Sequence, residues 1–109
     1  MFEVLPWIAT DSKDNALATA TKAAATGTTH FFTRATASYT TAPAVPKLIQ
    51  VKKGSDVIFE AYISGATESW ELHNIPGDVS EAISAELEAH GGGAGNYGKI
   101  ALFGFSIPG

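Results

Sequence analysis

Apolar and polar residues alternate with a period of two along several stretches of this chain, and Gly, Pro, Asn and Asp interrupt the alternation at short intervals. Period two is the signature of strands, whose successive side chains point to opposite faces. Over His30–Thr40 it places Phe31, Thr33, Ala35, Ala37 and Tyr39 on one face and His30, Phe32, Arg34, Thr36 and Ser38 on the other. Pro43 and Pro46 then end the segment. Lys47–Lys53 and Val57–Ile63 are β-branched segments joined by Gly54-Ser55-Asp56, a turn composition, and read as a hairpin. In its second member Ile58 and Tyr62 add apolar bulk to the face opposite Val57, Phe59, Ala61 and Ile63, which calls for a covering partner or second sheet. A short strand over Ser69–Ile75 closes at Pro76-Gly77.

Two segments are less plain. Ala16–Thr29 is almost wholly Ala and Thr; its alanines favour helix, but its threonines and its lack of large apolar residues at helical spacing favour a lightly packed strand. In Ala82–His90 the spacing of Val79, Ile83 and Leu87, with Asp78 and Glu81 before them and Gly91 after, permits a short capped helix. The alternation of Ile83, Ala85, Leu87 and Ala89 with Ser84, Glu86, Glu88 and His90 argues for a strand. Lys99–Ile107 is apolar on both faces, as in a central strand or one at a subunit interface, and the glycine-rich run Gly91–Gly98 before it predicts a hairpin with Ala82–His90. The expectation is an all-β chain: a single small antiparallel β-sandwich or jelly-roll-like domain over residues 16–109, preceded by an extended N-terminal arm over residues 1–15.

At 109 residues the chain suits one domain. It has no cysteine, so disulfides, thiolate metal sites and cysteine nucleophiles do not arise. A net charge of -4 with a single arginine, Arg34, argues against nucleic acid as a partner. No apolar run reaches the ~20 residues that span a bilayer, which argues against a membrane. The first residues lack the basic and long apolar regions of a signal peptide, giving the expectation of a product made in the cytoplasm.

Candidate chemistry is thin. Gly93–Lys99 matches the glycine and lysine spacing of a phosphate-binding loop, but Ile100 stands where a hydroxyl would hold magnesium, and the following helix and nucleotide fold are not expected. His30, His73 and His90 are isolated from one another in sequence, so a metal would need strands to bring them to Glu71, Glu86 or Glu88. Glu86 and Glu88 share one side of a strand, and glycosidase acid and nucleophile pairs must likewise lie near each other, but two such carboxylates are more often a solvated face. There is no nucleophile elbow. The expectation is therefore no enzyme and no cofactor. Trp70, Tyr39, Tyr62 and Tyr97 offer aromatic faces that suit a sugar or a protein interface. Trp7 and Ile8, on the arm, either dock on a neighbouring subunit or fold back onto their own core. The residues expected to touch partners are Trp7, Ile8, Phe32, Tyr62, Tyr97 and Phe103.

His30-Phe31-Phe32-Thr33 running into Ala37-Ser38-Tyr39, Lys47-Leu48-Ile49 with the Gly54 turn, Ala82–Leu87, and Gly92-Gly93-Ala94-Gly95 followed by Gly98-Lys99 and Phe103-Gly104-Phe105 form a pattern of strands and turns. Over roughly residues 16 to 107 it resembles small structural proteins of tailed bacteriophages, with capsid decoration (cement) proteins as the nearest functional parallel. The resemblance implies a virion protein on the capsid surface, a homo-oligomer with a trimer favoured, and the major capsid protein as partner. Glu86 and Glu88 depart from the small or hydroxyl residues the resemblance leads one to expect. A tail, baseplate or fibre component and a carbohydrate-binding or adhesin module remain alternatives.

Overall fold

The computed structural model describes residues 4–108, so residues 1–3 of the expected arm and residue 109 lie outside it. Its elements are eight strands: β1 (Leu5–Asp14), β2 (Ala18–Lys22), β3 (Thr28–Tyr39), β4 (Lys47–Lys53), β5 (Asp56–Ile63), β6 (Thr67–Pro76), β7 (Ile83–Leu87) and β8 (Tyr97–Pro108). They form two four-stranded sheets, β1-β8-β3-β6 and β2-β7-β4-β5, with antiparallel pairing throughout. The first strand pairs with the last, the second with the seventh, the third with the sixth and the fourth with the fifth. Such nesting is what results when one long antiparallel hairpin is rolled over on itself, and it is the jelly-roll form of the β-sandwich. The expected all-β sandwich is thus the fold.

The core between the sheets is assembled from Phe32, Leu72, Ile100 and Leu102 on one side and Ile49, Val51, Ile63, Ile83 and Leu87 on the other. Ala18, Ala20 and Ala85 are fully buried, and Ala20 faces Ala85 across β2 and β7. This explains why an alanine-rich segment is strand here. Small side chains let the edge of one sheet settle close to the other, and that packing outweighs a local propensity worth only tenths of a kcal/mol per residue. The segment at 83–87 is a strand, with Ile83, Ala85 and Leu87 buried and Ser84 and Glu86 half-buried on the other side.

Three sequence expectations need correction. First, β7 and β8 do not form a hairpin: β7 is flanked by β2 and β4, and β8 by β1 and β3, so residues 88–96 cross from one sheet to the other. Second, the faces of β3 exchange partway along. The register with both neighbours shifts between Phe32 and Arg34, leaving Thr33 as the extra residue of a β-bulge. His30 and Phe32 therefore point inward with Ala35, Ala37 and Tyr39, while Phe31 points outward with Arg34, Thr36 and Ser38. Third, Leu5–Asp14 of the expected arm is extended but does not stand away from the domain. It lies along β8 over its whole length, Leu5 opposite Ser106 and Asp14 opposite Tyr97, because the edge of β8 would otherwise present unpaired backbone groups.

Candidate interaction surface

The bulge at Thr33 and the pleat of β8 decide what the outside of the β1-β8-β3-β6 sheet looks like. Pro6, Phe105, Phe31 and Pro76 lie opposite one another across its four strands, and Ile8, Phe103, Arg34 and Glu71 form the neighbouring row. The rings of Phe31 and Phe105 are stacked, with centroids 4.7 Å apart and planes 7° from parallel. The Arg34 guanidinium lies over the Phe103 ring at 4.8 Å from its centroid, a cation–π contact. Val4, Pro6, Trp7, Ile8, Thr33, Phe103, Gly104 and Phe105 line an open groove of about 710 Å³ on this side of the molecule. Toward the other end of the same face the rows turn to hydroxyl residues, with Thr10, Ala101, Thr36 and Ser69 in one of them.

Behind the groove a chain of hydrogen bonds runs into the interior. The Trp7 Nε1–H donates to Ser106 Oγ at 2.9 Å. The Ser106 hydroxyl donates in turn to His30 Nδ1, and His30 Nε2–H donates to the Ala23 carbonyl at 2.8 Å. This assignment follows because an indole nitrogen can only donate and a carbonyl can only accept. His30 is 1% exposed and Ser106 4%. The indole is held further by an edge contact to the His30 ring at 6.0 Å and by Lys22 Nζ at 5.7 Å. Gly104 leaves room for it: a β-carbon there would fall 2.6 Å from Trp7 Cζ2. A serine and a histidine joined in this way resemble part of a hydrolytic dyad, yet every ring nitrogen and the hydroxyl are used and both residues are buried. The arrangement fastens β1, β3, β8 and the segment after β2 to one another.

A second polar cluster orders the glycine-rich crossing. His90 is buried; the Gly92 N–H donates to its Nδ1 at 3.0 Å and its Nε2–H donates to the Thr41 carbonyl at 3.1 Å. Asn15 Oδ1 accepts from Gly91 N–H at 2.7 Å, and Asp14 Oδ1 from Gly95 N–H at 2.8 Å. Gly91, Gly93 and Gly95 all have positive φ, which explains the repeated glycines as a backbone requirement. The lysine-containing end of the run enters β8 directly, so the phosphate-loop spacing has no helix behind it. Below the crossing, the Tyr39 hydroxyl donates to the Glu88 carbonyl at 2.6 Å. Burial, aided by the negative charge of Glu88, pushes its pKa up to about 12.

The outer face of the β2-β7-β4-β5 sheet has a different character. Lys52 pairs with Glu86 at 2.9 Å, Gln50 donates to Glu60 at 2.6 Å, and Glu88 Oε1 accepts from the Leu48 N–H at 2.9 Å. Glu86 and Glu88 line a dent of about 160 Å³ with Leu17, Leu48 and Gln50, and both are engaged in structural contacts. At the sandwich edge Asp11 accepts from Lys13 Nζ at 2.8 Å and from the Thr19 N–H at 2.9 Å, and these contacts hold its carboxyl below the usual range.

The residues expected to touch partners separate into three groups. Ile8, 62% exposed, and half-buried Phe103 face each other in the groove, with Trp7 in its wall. Tyr62 projects from the outer face of the opposite sheet and Tyr97 lies at the start of β8 beside the loops, so neither belongs to the groove. Phe32 is fully buried and is a core residue, because the bulge turns it inward. Pattern reading did not single out Phe31, Arg34 or Phe105 as contact candidates, and it did not connect Ser106 with His30. The available signal for the latter pair was two lone polar residues among large apolar ones, in His30-Phe31-Phe32 and Phe105-Ser106-Ile107.

No protein-family model matches the chain, and no curated protein matches it. Among solved structures, the chain is similar to one in the acidic stable capsid structure of Helicobacter pylori bacteriophage KHP30, with a TM-score of 0.59 and 8% identity over 96% of this chain and 93% of that one. At that identity the likeness is one of fold. FLHE gives a TM-score of 0.44 and 12% identity over 91% of this chain and 96% of that one. The CBM36-1 domain of a multidomain xylanase from the hindgut metagenome of Trinervitermes trinervoides gives 0.41 and 15% over 92% and 76%. Neither of these two bears on function.

Proposed function

We propose that this chain is a structural subunit of a tailed-bacteriophage virion, most directly a head decoration protein that binds the major capsid protein on the capsid surface as a homo-oligomer, with a trimer favoured. The observation that carries the reading is the apolar groove on the outside of the β1-β8-β3-β6 sheet, where Ile8, Phe103, Phe105 and Pro6 gather on a face that a lone sandwich would leave to water. A binding role fits the polar clusters, whose donors and acceptors are spent on holding strands and loops in place. On this reading the chain catalyses nothing and takes no cofactor, nucleic acid or membrane. The fold likeness to a chain of a phage capsid agrees with this role, although a jelly roll serves many functions. Repetition supplies what a small groove lacks: once one subunit of an oligomer is seated on a lattice, its partners bind at high effective concentration.

The test combines the solution mass by light scattering with co-sedimentation on expanded heads of the phage that encodes the protein. A trimer that pellets with heads is expected. The Ile8→Glu, Phe103→Glu variant should stay in the supernatant while keeping its strand-type circular dichroism. Wild-type protein that ignores heads, or a charged-groove variant that binds them as well as wild type, would overturn the assignment.

A further inference from the structure

We infer that the first half of β1, Leu5–Thr10, is an exchangeable strand that pairs either with its own β8 or with β8 of a second copy of this chain. Three observations lead there. None of the ten residues of β1 is fully buried, and of Leu5–Thr10 Trp7 and Ala9 alone pack against the core, whereas β8, its neighbour, has buried positions along most of its length. A strand held with so little side-chain burial belongs to the low end of local stability.

The two halves of β1 are fastened differently. Its C-terminal half is tied by Asp11 to Thr19 and by Asp14 to Gly95, and Asn15 beyond it is bound to Gly91 and Asn96. Among the described residues, Trp7 is the one side chain of Leu5–Thr10 that hydrogen-bonds elsewhere.

The socket for that indole is built wholly from other strands: Gly104 and Ser106 of β8, His30 of β3 and Lys22 of β2. It therefore accepts Trp7 from any copy with the same contacts. Asp14 and Asn15 stay anchored while Asp11–Lys13, about 10 Å when extended, cross to a closely apposed neighbour and give up the bond from the Thr19 N–H to Asp11.

Departure of Leu5–Thr10 bares the backbone edge of β8 over Ala101–Ser106, the residues it covers. That edge must be refilled, and a reciprocal two-fold exchange refills both copies at once. Because the bonds are the same within and between copies, local concentration decides the outcome. Intramolecular pairing wins in dilute solution, and exchange appears as concentration approaches the millimolar effective concentration of a tethered segment. The inference concerns the isolated chain in solution, so failure to bind heads leaves it standing.

The absence of cysteine makes the test clean. Thr10 and Ala101 are register partners on β1 and β8. Full-length Thr10→Cys and Ala101→Cys variants are mixed, unfolded in urea, refolded together at about 1 mM and oxidised, and the linked species are identified by mass. Neither variant can close a bond within itself. Heterodimers above the statistical proportion, declining on dilution and reduced severalfold by adding Trp7→Ala to the Thr10→Cys copy, are expected. Linked dimers in statistical proportion, or none at all, overturn the inference. Hydrogen exchange on the unmodified protein is an independent check in case a cysteine variant misfolds. Amides of Leu5–Thr10 should exchange at least about tenfold faster than those of β3, since local opening is less costly where little is buried, and equal protection would refute the proposal.

Discussion

Replacing Ser106 by alanine removes one oxygen atom from the interior and strands two ring nitrogens, the Trp7 Nε1–H and His30 Nδ1. Each buried group left without a partner costs about 1–3 kcal/mol, more than the net worth of the bond itself. Trp7 is half-buried and its indole can find water, so the low end applies to it; His30 is 1% exposed and has no such recourse. The sum is about 2–4 kcal/mol of 5–15 kcal/mol total stability. Urea unfolding followed by tryptophan fluorescence should show the midpoint falling with an unchanged slope. Trp7→Phe keeps an aromatic body in the socket and deletes only the N–H, so its cost should be smaller. In the Trp7→Phe, Ser106→Ala double variant the losses should not add, with a coupling of about 0.5–3 kcal/mol, because both act on one chain of bonds. A Ser106→Ala loss below about 0.5 kcal/mol, the usual size for an uninvolved surface residue, would refute the reasoning, as would simple additivity in the double variant.

Phe32→Ala should cost about 3–5 kcal/mol, measured by thermal unfolding, because Phe32 is fully buried between the sheets; a loss under 1 kcal/mol would return it to the partner surface. Gly104→Ala should cost about 3 kcal/mol or more and red-shift the tryptophan emission, since its methyl would run into the backbone carbonyl of Phe31 on the paired strand and fall 2.6 Å from Trp7 Cζ2, so that both strand and indole must shift. Tyr39 carries a pH dependence of definite sign: its pKa in the folded protein is raised to about 12, above the value near 10 of an exposed tyrosine. Its contribution is therefore fully present below about pH 10 and is lost as pH rises through 12, by an amount on the order of 2–3 kcal/mol. Tyr39→Phe should flatten that alkaline decline, and an identical decline in the variant would remove the cause.

How much of this was legible in the sequence follows from the range of the forces involved. Strands are local, and the alternation over 30–40, 47–53, 57–63 and 99–107 placed them well, even at 83–87, where a capped helix was a fair alternative. Pairing is not local. Ile83, Ala85 and Leu87 face inward whichever sheet β7 joins, so periodicity could not reveal that β8 belongs to the other sheet and that the glycine run is a crossing. The bulge at Thr33 is equally silent, because a threonine there continues the alternation, and the evidence that the count has slipped lies in the partners: Phe32 opposite Gly104, but Arg34 opposite Phe103.

The groove depends on both of those silent features at once. Ile8 and Phe103 are ninety-five positions apart and meet only because the first and last strands pair, which is the defining long-range contact of the rolled hairpin. Phe31 and Arg34 reach the same face only because the extra residue between them restores the pleat after Phe32 has turned inward. Had β3 run without a bulge, outward Phe31 would have been followed by outward Thr33 and Ala35, and inward Phe32 by inward Arg34. A charge would then have entered the core at a position where no anion waits for it, at a cost of several kcal/mol. The bulge thus serves packing first, by keeping the arginine outside. The placement of Arg34 over Phe103, beside the slot between the two apolar rows, follows from the same requirement.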